Sequence, residues 1–273
     1  MLSDIYKHER DGKLKFDKQY HCYSIGKTKY ISVTKIVKSM FEPFDSNKII
    51  DNMMNSENWT SSQYFGMTKS EILDKWELNS KEASTKGTYM HDLIEKFYNN
   101  IEIKPESTNI EEWEMFKNFH KDHIHLKPFR TEWQIYDDNY DVAGTIDMVF
   151  LNEDGTVDIY DWKRSAEINK INKYKKYCMC DKFKNIPDSN YYHYSFQLNI
   201  YKYILENNYG LKVSNMYLVQ IHPDNMVYKK ITVDELKDIY NVFIYYEQNA
   251  KKSFKKFKKN IQTFEQKKKV DQI

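Results

Sequence analysis

Strand-like alternation of apolar and polar residues recurs from the N-terminal region to the last third of this chain. It predicts strands in a hairpin at 20–31, at 129–136, at 143–151, at 157–163, and at 213–222 with a short return strand. The turn formers at 152–155 would join two of them into a hairpin centred near Asp154. This register sets Asp147 opposite Asp161, and a slip of one residue would reverse the faces. Strict alternation would place five residues on one face: Ala143, Thr145, Asp147, Val149 and Leu151.

Apolar residues spaced three and four apart predict the helices. These lie at 81–98, 110–126, 191–208 and from about 233, with a shorter one that Ser32 caps and Pro43 ends. The stretch 46–78 is helical but broken, and we expect a helical lobe there. Its aromatic anchors are more often core residues than platforms for unpaired bases: Trp59, Tyr64, Phe65 and Trp76. The polar stretch 165–190 predicts a loop or lid.

The composition favours one folded unit in a reducing compartment. A chain of 273 residues can bury one sizeable core, and an aromatic content of 16% argues against disorder over most of it. Three cysteines are too few for a disulfide framework or a four-cysteine iron–sulfur cluster. No signal-peptide core and no long apolar run occurs. We expect a soluble, intracellular single domain over 1–270, comprising a hairpin and lobe (20–80), a core (81–222) and a C-terminal part (223–273).

Charged residues interrupt the two central strands. Asp147 and Asp161 lie among large apolar residues, and a buried carboxylate must be paired or bind a cation. Ordinary ion pairing with Lys163 is the simpler explanation. However, two carboxylates exceed one ammonium, which favours a divalent cation, and hard oxygen ligands suit Mg²⁺ or Mn²⁺. Lys163 would hold or activate a water molecule and offset charge on a phosphate, so the pattern indicates phosphodiester hydrolysis.

Four motifs in order resemble the PD-(D/E)XK nuclease superfamily. Gly144 to Asp147 resembles its G-x-x-D strand, and Asp161 to Lys163 resembles its D-x-K strand. Gln197 to Tyr201 is similar to its Q-x-x-x-Y helix. An upstream helix resembles its histidine motif through Ala83, Gly87, Thr88, His91 and Glu95. The resemblance runs from about residue 20 to 222 and is to the RecB-like branch, which includes CRISPR-associated and mitochondrial genome maintenance exonucleases.

The resemblance implies a fold and a set of roles. The fold would be an α/β restriction-endonuclease-like core with a short mixed sheet flanked by helices, and a helical N-terminal lobe would form one wall of a nucleic-acid channel. The implied metal ligands are His91, Asp147, Asp161 and the carbonyl of Trp162, with Glu132 in a supporting or second-metal role. Lys163 would be the catalytic lysine, and Gln197 and Tyr201 would orient it or the scissile strand. Thr88, Tyr201 and Lys163 would contact nucleic acid.

The expected function is that of a Mg²⁺- or Mn²⁺-dependent DNA exonuclease acting on single-stranded or ended DNA. It would resemble the relatives without an iron–sulfur cluster and would need no membrane, while its protein partners stay open. A structure-specific or RNA-directed endonuclease, or an inactive nucleic-acid-binding module on the same fold, are the alternatives. The lysine-rich stretch 251–269 would either follow phosphates or form a solvated helix. His120, His123 and His125 are a weaker candidate for zinc than for an exposed helix end.

Overall fold

One mixed eight-stranded sheet forms the centre of the part of the chain that the computed structural model describes, residues 1–18, 20, 22–108 and 110–251. The strands are β1 (Lys15–Asp17), β2 (Cys22–Ile25), β3 (Thr28–Ser32), β4 (Lys127–Asp137), β5 (Val142–Leu151), β6 (Val157–Lys163), β7 (Val213–Gln220) and β8 (Lys229–Thr232). Their order is β1-β2-β3-β5-β6-β7-β8, and β4 also pairs with β5. The β3–β5 and β6–β7 pairs are parallel and the others antiparallel. Except for Lys251, the lysine-rich stretch predicted at 251–269 lies outside the described residues.

Side-chain caps mark the start of some helices but not of others. They are α1 (Leu2–Ile5), α2 (Val33–Ser39), α3 (Ser46–Met54), α4 (Lys69–Tyr98), α5 (Glu111–Asp122), α6 (Asn190–Asn208) and α7 (241–251). Ser32 caps α2 as predicted by accepting from the Lys35 N–H. The helix predicted from residue 81 begins at Lys69 instead, because Thr68 and Glu71 form a capping box. The last helix begins at 241 rather than near 233.

Helices cover both faces of the sheet, which confirms the predicted α/β class with a mixed sheet. On one face, α2 and α6 enclose a core that includes Ile36, Phe196 and Val149. On the other face, α4 and α5 pack through Leu93 and Phe119 onto β5 and β6. Within the described residues no helix has the length and apolar character needed to cross a membrane.

The side chains of β4 and β5 change faces at one point. Ile146 and Val149 pack in the same core cluster, although strict alternation would separate them, while Met148 packs in the cluster on the other face. On β4, Glu132 lies opposite Asp147 and has a left-handed backbone with φ 43°. The expected shared face is therefore wrong, because this irregular position interrupts the alternation of Ala143, Thr145, Asp147, Val149 and Leu151.

The helical lobe between α2 and the middle of α4 has little core of its own. Its four aromatic anchors, expected mainly as core residues, are half-buried or exposed: Trp59, Tyr64, Phe65 and Trp76. They pack edge-on in pairs, with 6.1 Å between the ring centroids of Tyr64 and Trp76 and 6.0 Å between those of Trp59 and Phe65. The expectation of core packing is wrong for these rings, because they contact one another and stay partly open to solvent.

Candidate active site

A gap between strands positions the central aspartates. β3 pairs with Val142 and Ala143 of β5, and β6 pairs with 148–151, so neither pairing includes residues 144–147. The last pair is Met148 with Tyr160 and has the predicted register, so one further step in the same register would set Asp147 opposite Asp161. The Trp162 N–H donates to Asp147 Oδ2 at 2.9 Å. The predicted hairpin register is confirmed, and both carboxylates lie where the strands separate.

His91, Glu132 and Asp147 form a compact group of possible metal ligands. One ligand atom from each lies within 4.8 Å of the others, the only such group found among the described residues. His91 Nδ1 is 3.4 Å from Glu132 Oε1 and 3.6 Å from Asp147 Oδ2. The left-handed backbone at Glu132 costs about 1–3 kcal/mol for a residue with a side chain. With this backbone conformation, the Glu132 carboxylate lies near the same point as the Asp147 carboxylate.

Asp161 and Lys163 complete the cluster from the end of β6. The Asp161 side chain is 1% exposed, and its Oδ2 lies 2.5 Å from Lys163 Nζ. Its Oδ1 is buried and has no hydrogen-bond partner among the described residues. The Trp162 carbonyl between them is 3.0 Å from His91 Nε2. An unpartnered buried carboxylate oxygen beside a His–Glu–Asp group fits a hard divalent cation, since such an oxygen otherwise costs several kcal/mol.

Burial and mutual charge set the protonation of this cluster. Burial raises the pKa of Asp161 to about 6, although the nearby Lys163 ammonium opposes that shift. Burial alone would lower the pKa of Lys163, but the charges of Asp161 and Asp147 outweigh it and raise the pKa to about 12. For His91 the carboxylates of Asp147 and Glu132 likewise outweigh burial and raise the pKa to about 9. The excess of carboxylates thus retains a proton on His91 that a metal ion could replace.

Helix α6 packs against the other side of the gap. Gln197 Nε2 donates to the Tyr201 hydroxyl at 3.0 Å, so the two predicted residues act as one unit. The Tyr201 ring lies against the backbone of Gly144, where an added Cβ would be 2.5 Å from Tyr201 Cε1. Glycine in the G-x-x-D segment is therefore explained by close approach of a tyrosine ring.

Gly144→Ala should destabilise the protein by about 1–3 kcal/mol through overpacking against Tyr201. For a chain of this size we expect a loss of about 2–4 °C in Tm per kcal/mol, measured by thermal unfolding. Gly87→Ala in α4 is the matched control. An added Cβ there meets nothing within 4 Å, so it should stabilise the helix by about 0.5–1 kcal/mol. Equal Tm values for wild type and Gly144→Ala would contradict the steric account.

Two tyrosines that the sequence analysis did not assign to the site lie beside it. Lys163 Nζ is 4.8 Å from the ring centroid of Tyr194, one turn before Gln197 on α6. The Tyr23 hydroxyl of β2 is 3.0 Å from Thr145 Oγ1. Helical spacing from Gln197 could have indicated Tyr194, whereas no local signal connects Tyr23 with β5.

Other predicted residues form no hydrogen bond or ion pair with these carboxylates within the described part of the chain. Thr88 is exposed on α4, and Glu95 is half-buried, with its pKa raised by burial. The ring centroids of His120 and Phe97 are 4.8 Å apart, and those of the stacked His123 and Phe119 rings are 4.4 Å apart. His120 and His123 are half-buried at the end of α5, and His125 is exposed.

Comparisons with known proteins find distant structural neighbours but no matching family. No family model matches the sequence, and no curated protein matches it. The structure of SSO0001 is 13% identical, with 82% of this chain and 76% of that chain covered and a TM-score of 0.34. A protein from Eubacterium rectale named "putative exonuclease" is 11% identical, with 80% and 76% covered and a TM-score of 0.36. Likeness at this level carries no argument, so function is inferred from the side chains.

Proposed function

We propose that this protein is a divalent-metal-dependent nuclease that hydrolyses phosphodiester bonds in DNA. The observation that carries the proposal is the buried, unpartnered Oδ1 of Asp161 next to Lys163 and the His91–Glu132–Asp147 group. The three carboxylates of Glu132, Asp147 and Asp161 exceed the positive charges of Lys163 and protonated His91, which leaves an excess of negative charge in a largely buried place. A bound cation would offset this excess.

Residues from four elements would hold the cation. These are His91 of α4, Glu132 of β4, Asp147 of β5 and Asp161 of β6, with the Trp162 carbonyl adjacent. Mg²⁺ or Mn²⁺ bound there would act as a Lewis acid and lower the pKa of a coordinated water. Oxygen donors with one imidazole suit both ions.

The ammonium of Lys163 would contribute charge rather than accept a proton. A pKa near 12 keeps it protonated at neutral pH, so it is suited to donate hydrogen bonds to a water molecule or a phosphate oxygen. Asp161 holds the ammonium at 2.5 Å, and the Tyr194 ring lies against it. Gln197 and Tyr201, which are hydrogen-bonded to each other, would support the same side of the site from α6.

The motif resemblance supports a more specific proposal. Residues from all four motifs that resemble the RecB-like PD-(D/E)XK nucleases lie around one gap in the sheet: His91, Asp147, Asp161 with Lys163, and Tyr201 against Gly144. By that resemblance the substrate would be single-stranded or ended DNA and the mode exonucleolytic. We propose this mode over endonucleolytic cleavage.

End-labelled linear DNA and closed circular single-stranded DNA, each incubated with the protein and Mg²⁺, test the proposal. We expect the linear strand to be shortened stepwise and the circle to stay intact, because an exonuclease requires an end. Labels at either end give the direction. Cutting of circles would favour the endonuclease alternative. Metal binding without cleavage of any nucleic acid would favour the inactive binding module.

A further inference from the structure

The loop that follows Lys163 is held in place on both sides. Gln220 Nε2 donates to the Ser165 and Ala166 carbonyls at 2.8 and 2.7 Å. Asn190, the first residue of α6, accepts from the Asn169 N–H at 2.8 Å and donates to the Glu167 carbonyl at 2.7 Å. The loop thus leaves from the proposed catalytic lysine and is attached at the start of α6, one turn before Tyr194.

A tight turn forms the tip of this loop. The Lys175 N–H donates to the Asn172 carbonyl at 3.2 Å, and the Tyr174 N–H donates to Asn172 Oδ1 at 2.7 Å. The Asn172 amide donates to the Asp188 carbonyl just before α6. Lys175 has a left-handed backbone with φ 53°, as the turn requires. The turn 172–175 is therefore ordered by its own hydrogen bonds rather than by packing of its side chains.

The turn presents an aromatic ring between two ammonium groups that form no ion pair within the described part of the chain. Tyr174 is 85% exposed. Among the described residues, no carboxylate lies within 4.0 Å of Lys173 or Lys175, whereas the next lysine, Lys176, pairs with Glu42 at 2.9 Å. An exposed ring gains little by facing water, so this arrangement suits a planar, anionic ligand.

The surrounding loop concentrates positive charge. Residues 164–184 contain seven Lys or Arg and two Asp or Glu, although the net charge of the whole chain is only +2. Local charge of this kind complements a polyphosphate backbone. Exposed aromatic rings interleaved with basic residues are how proteins bind single strands, through base stacking and phosphate contacts.

We infer that the turn 172–175 is a binding site for single-stranded nucleic acid, in which Tyr174 stacks on an unpaired base while Lys173 and Lys175 contact the flanking phosphates. This inference rests on the proposed nuclease function, since the turn adjoins the catalytic lysine along the chain. It adds a contact for the strand outside the metal centre, which would affect substrate affinity rather than the chemical step.

Fluorescence anisotropy with a labelled single-stranded oligonucleotide and the full-length protein in EDTA tests the inference. Tyr174→Ala should weaken binding about tenfold, the effect of losing one base–aromatic stack, and Tyr174→Phe should bind like wild type. Lys173→Gln with Lys175→Gln should make the slope of log K against log salt less negative by about 1.4, at about 0.7 per phosphate contact. Ile124→Ala and Lys121→Gln, exposed positions on and after α5, are the matched controls and should change neither quantity.

Further measurements distinguish a failure of the turn inference from a failure of the proposed nuclease function. A blunt duplex should be insensitive to Tyr174→Ala because its bases are already stacked, and an equal loss on duplex would overturn the stacking contact. If wild type binds DNA and the turn variants have the same affinity and salt slope, the inference about the turn is overturned, but the proposed nuclease function is not. Wild type that binds DNA but never cleaves it in Mg²⁺ would overturn the proposed function, while the binding arms would still test the turn. Polyglutamate can be added as a competitor of the labelled oligonucleotide. If it displaces the oligonucleotide equally well from wild type and from Tyr174→Ala, the turn would be a site for an acidic protein surface instead.

Discussion

Lys163→Ala should lower the rate of DNA cleavage by about a hundred- to a thousandfold, the usual effect of removing one donor that stabilises developing charge. The ammonium is held by Asp161 in a buried place where charge is weakly screened, so no solvent cation can replace it. Single-turnover cleavage of end-labelled DNA in Mg²⁺ measures the effect on the chemical step. Because Lys163 is not among the metal ligands, we expect the variant still to bind metal.

The control for this prediction is a lysine distant in the fold. Lys121→Ala removes an exposed ammonium at the end of α5 and should leave the rate unchanged. A Lys163→Ala protein with wild-type cleavage would contradict the catalytic role, even if chelation of metal abolished activity. If the variant lost both activity and its metal-induced stabilisation, the lysine would instead be needed to maintain the metal site.

Divalent metal should raise the thermal stability of the protein, and Asp147→Asn should abolish that effect. Metal at a hundred times its Kd would add about 2.7 kcal/mol to the free energy of unfolding. This corresponds to a rise of about 5–10 °C in Tm, at about 2–4 °C per kcal/mol. Differential scanning fluorimetry with Mn²⁺ and with EDTA measures it. Asp224→Asn, an exposed carboxylate whose side chain is 75% accessible, is the matched control and should retain the shift. No shift in wild type would count against the metal centre.

The same stabilisation should increase with pH. In the metal-free protein the pKa of His91 is raised to about 9, from an ordinary value of 6.5. A raised histidine pKa contributes stability that is present below about 6.5 and is lost as pH rises through about 9. Metal binding requires neutral imidazole, so affinity should rise over the same interval. The difference in Tm between Mn²⁺ and EDTA should therefore be larger at pH 8.5, which lies inside that interval, than at pH 6, which lies below it.

Local patterns predicted the elements that carry the chemistry. The turn formers near Asp154 predict the register that β5 and β6 have from Leu151–Val157 to Met148–Tyr160, one step short of Asp147 and Asp161. Ser32 was identified as a cap because its hydroxyl needs only a backbone N–H three residues later. Such features depend on neighbours within a few residues, so a single sequence contains them.

Other features of the site depend on contacts that no local pattern encodes. The left-handed backbone at Glu132 and the change of faces at Asp147 occur where two strands meet α4, and a glutamate does not indicate such a backbone by its identity. Tyr23 reaches Thr145 from a strand 122 residues away in sequence. The half-buried rings of the lobe were misjudged because apolar spacing indicates a helix face but not what covers it.

Side-chain chemistry and the two periods of regular structure are enough to predict the α/β class, the hairpin, and buried carboxylates at Asp147 and Asp161 that need a counter-charge. The contacts between Glu132, His91 and Asp147, the close approach of Tyr201 to Gly144, and the unpartnered oxygen of Asp161 emerge only when the chain is folded. These contacts join segments far apart in the chain, such as His91 and Trp162, 71 residues apart. Their distances follow from packing two helical layers on one twisted sheet.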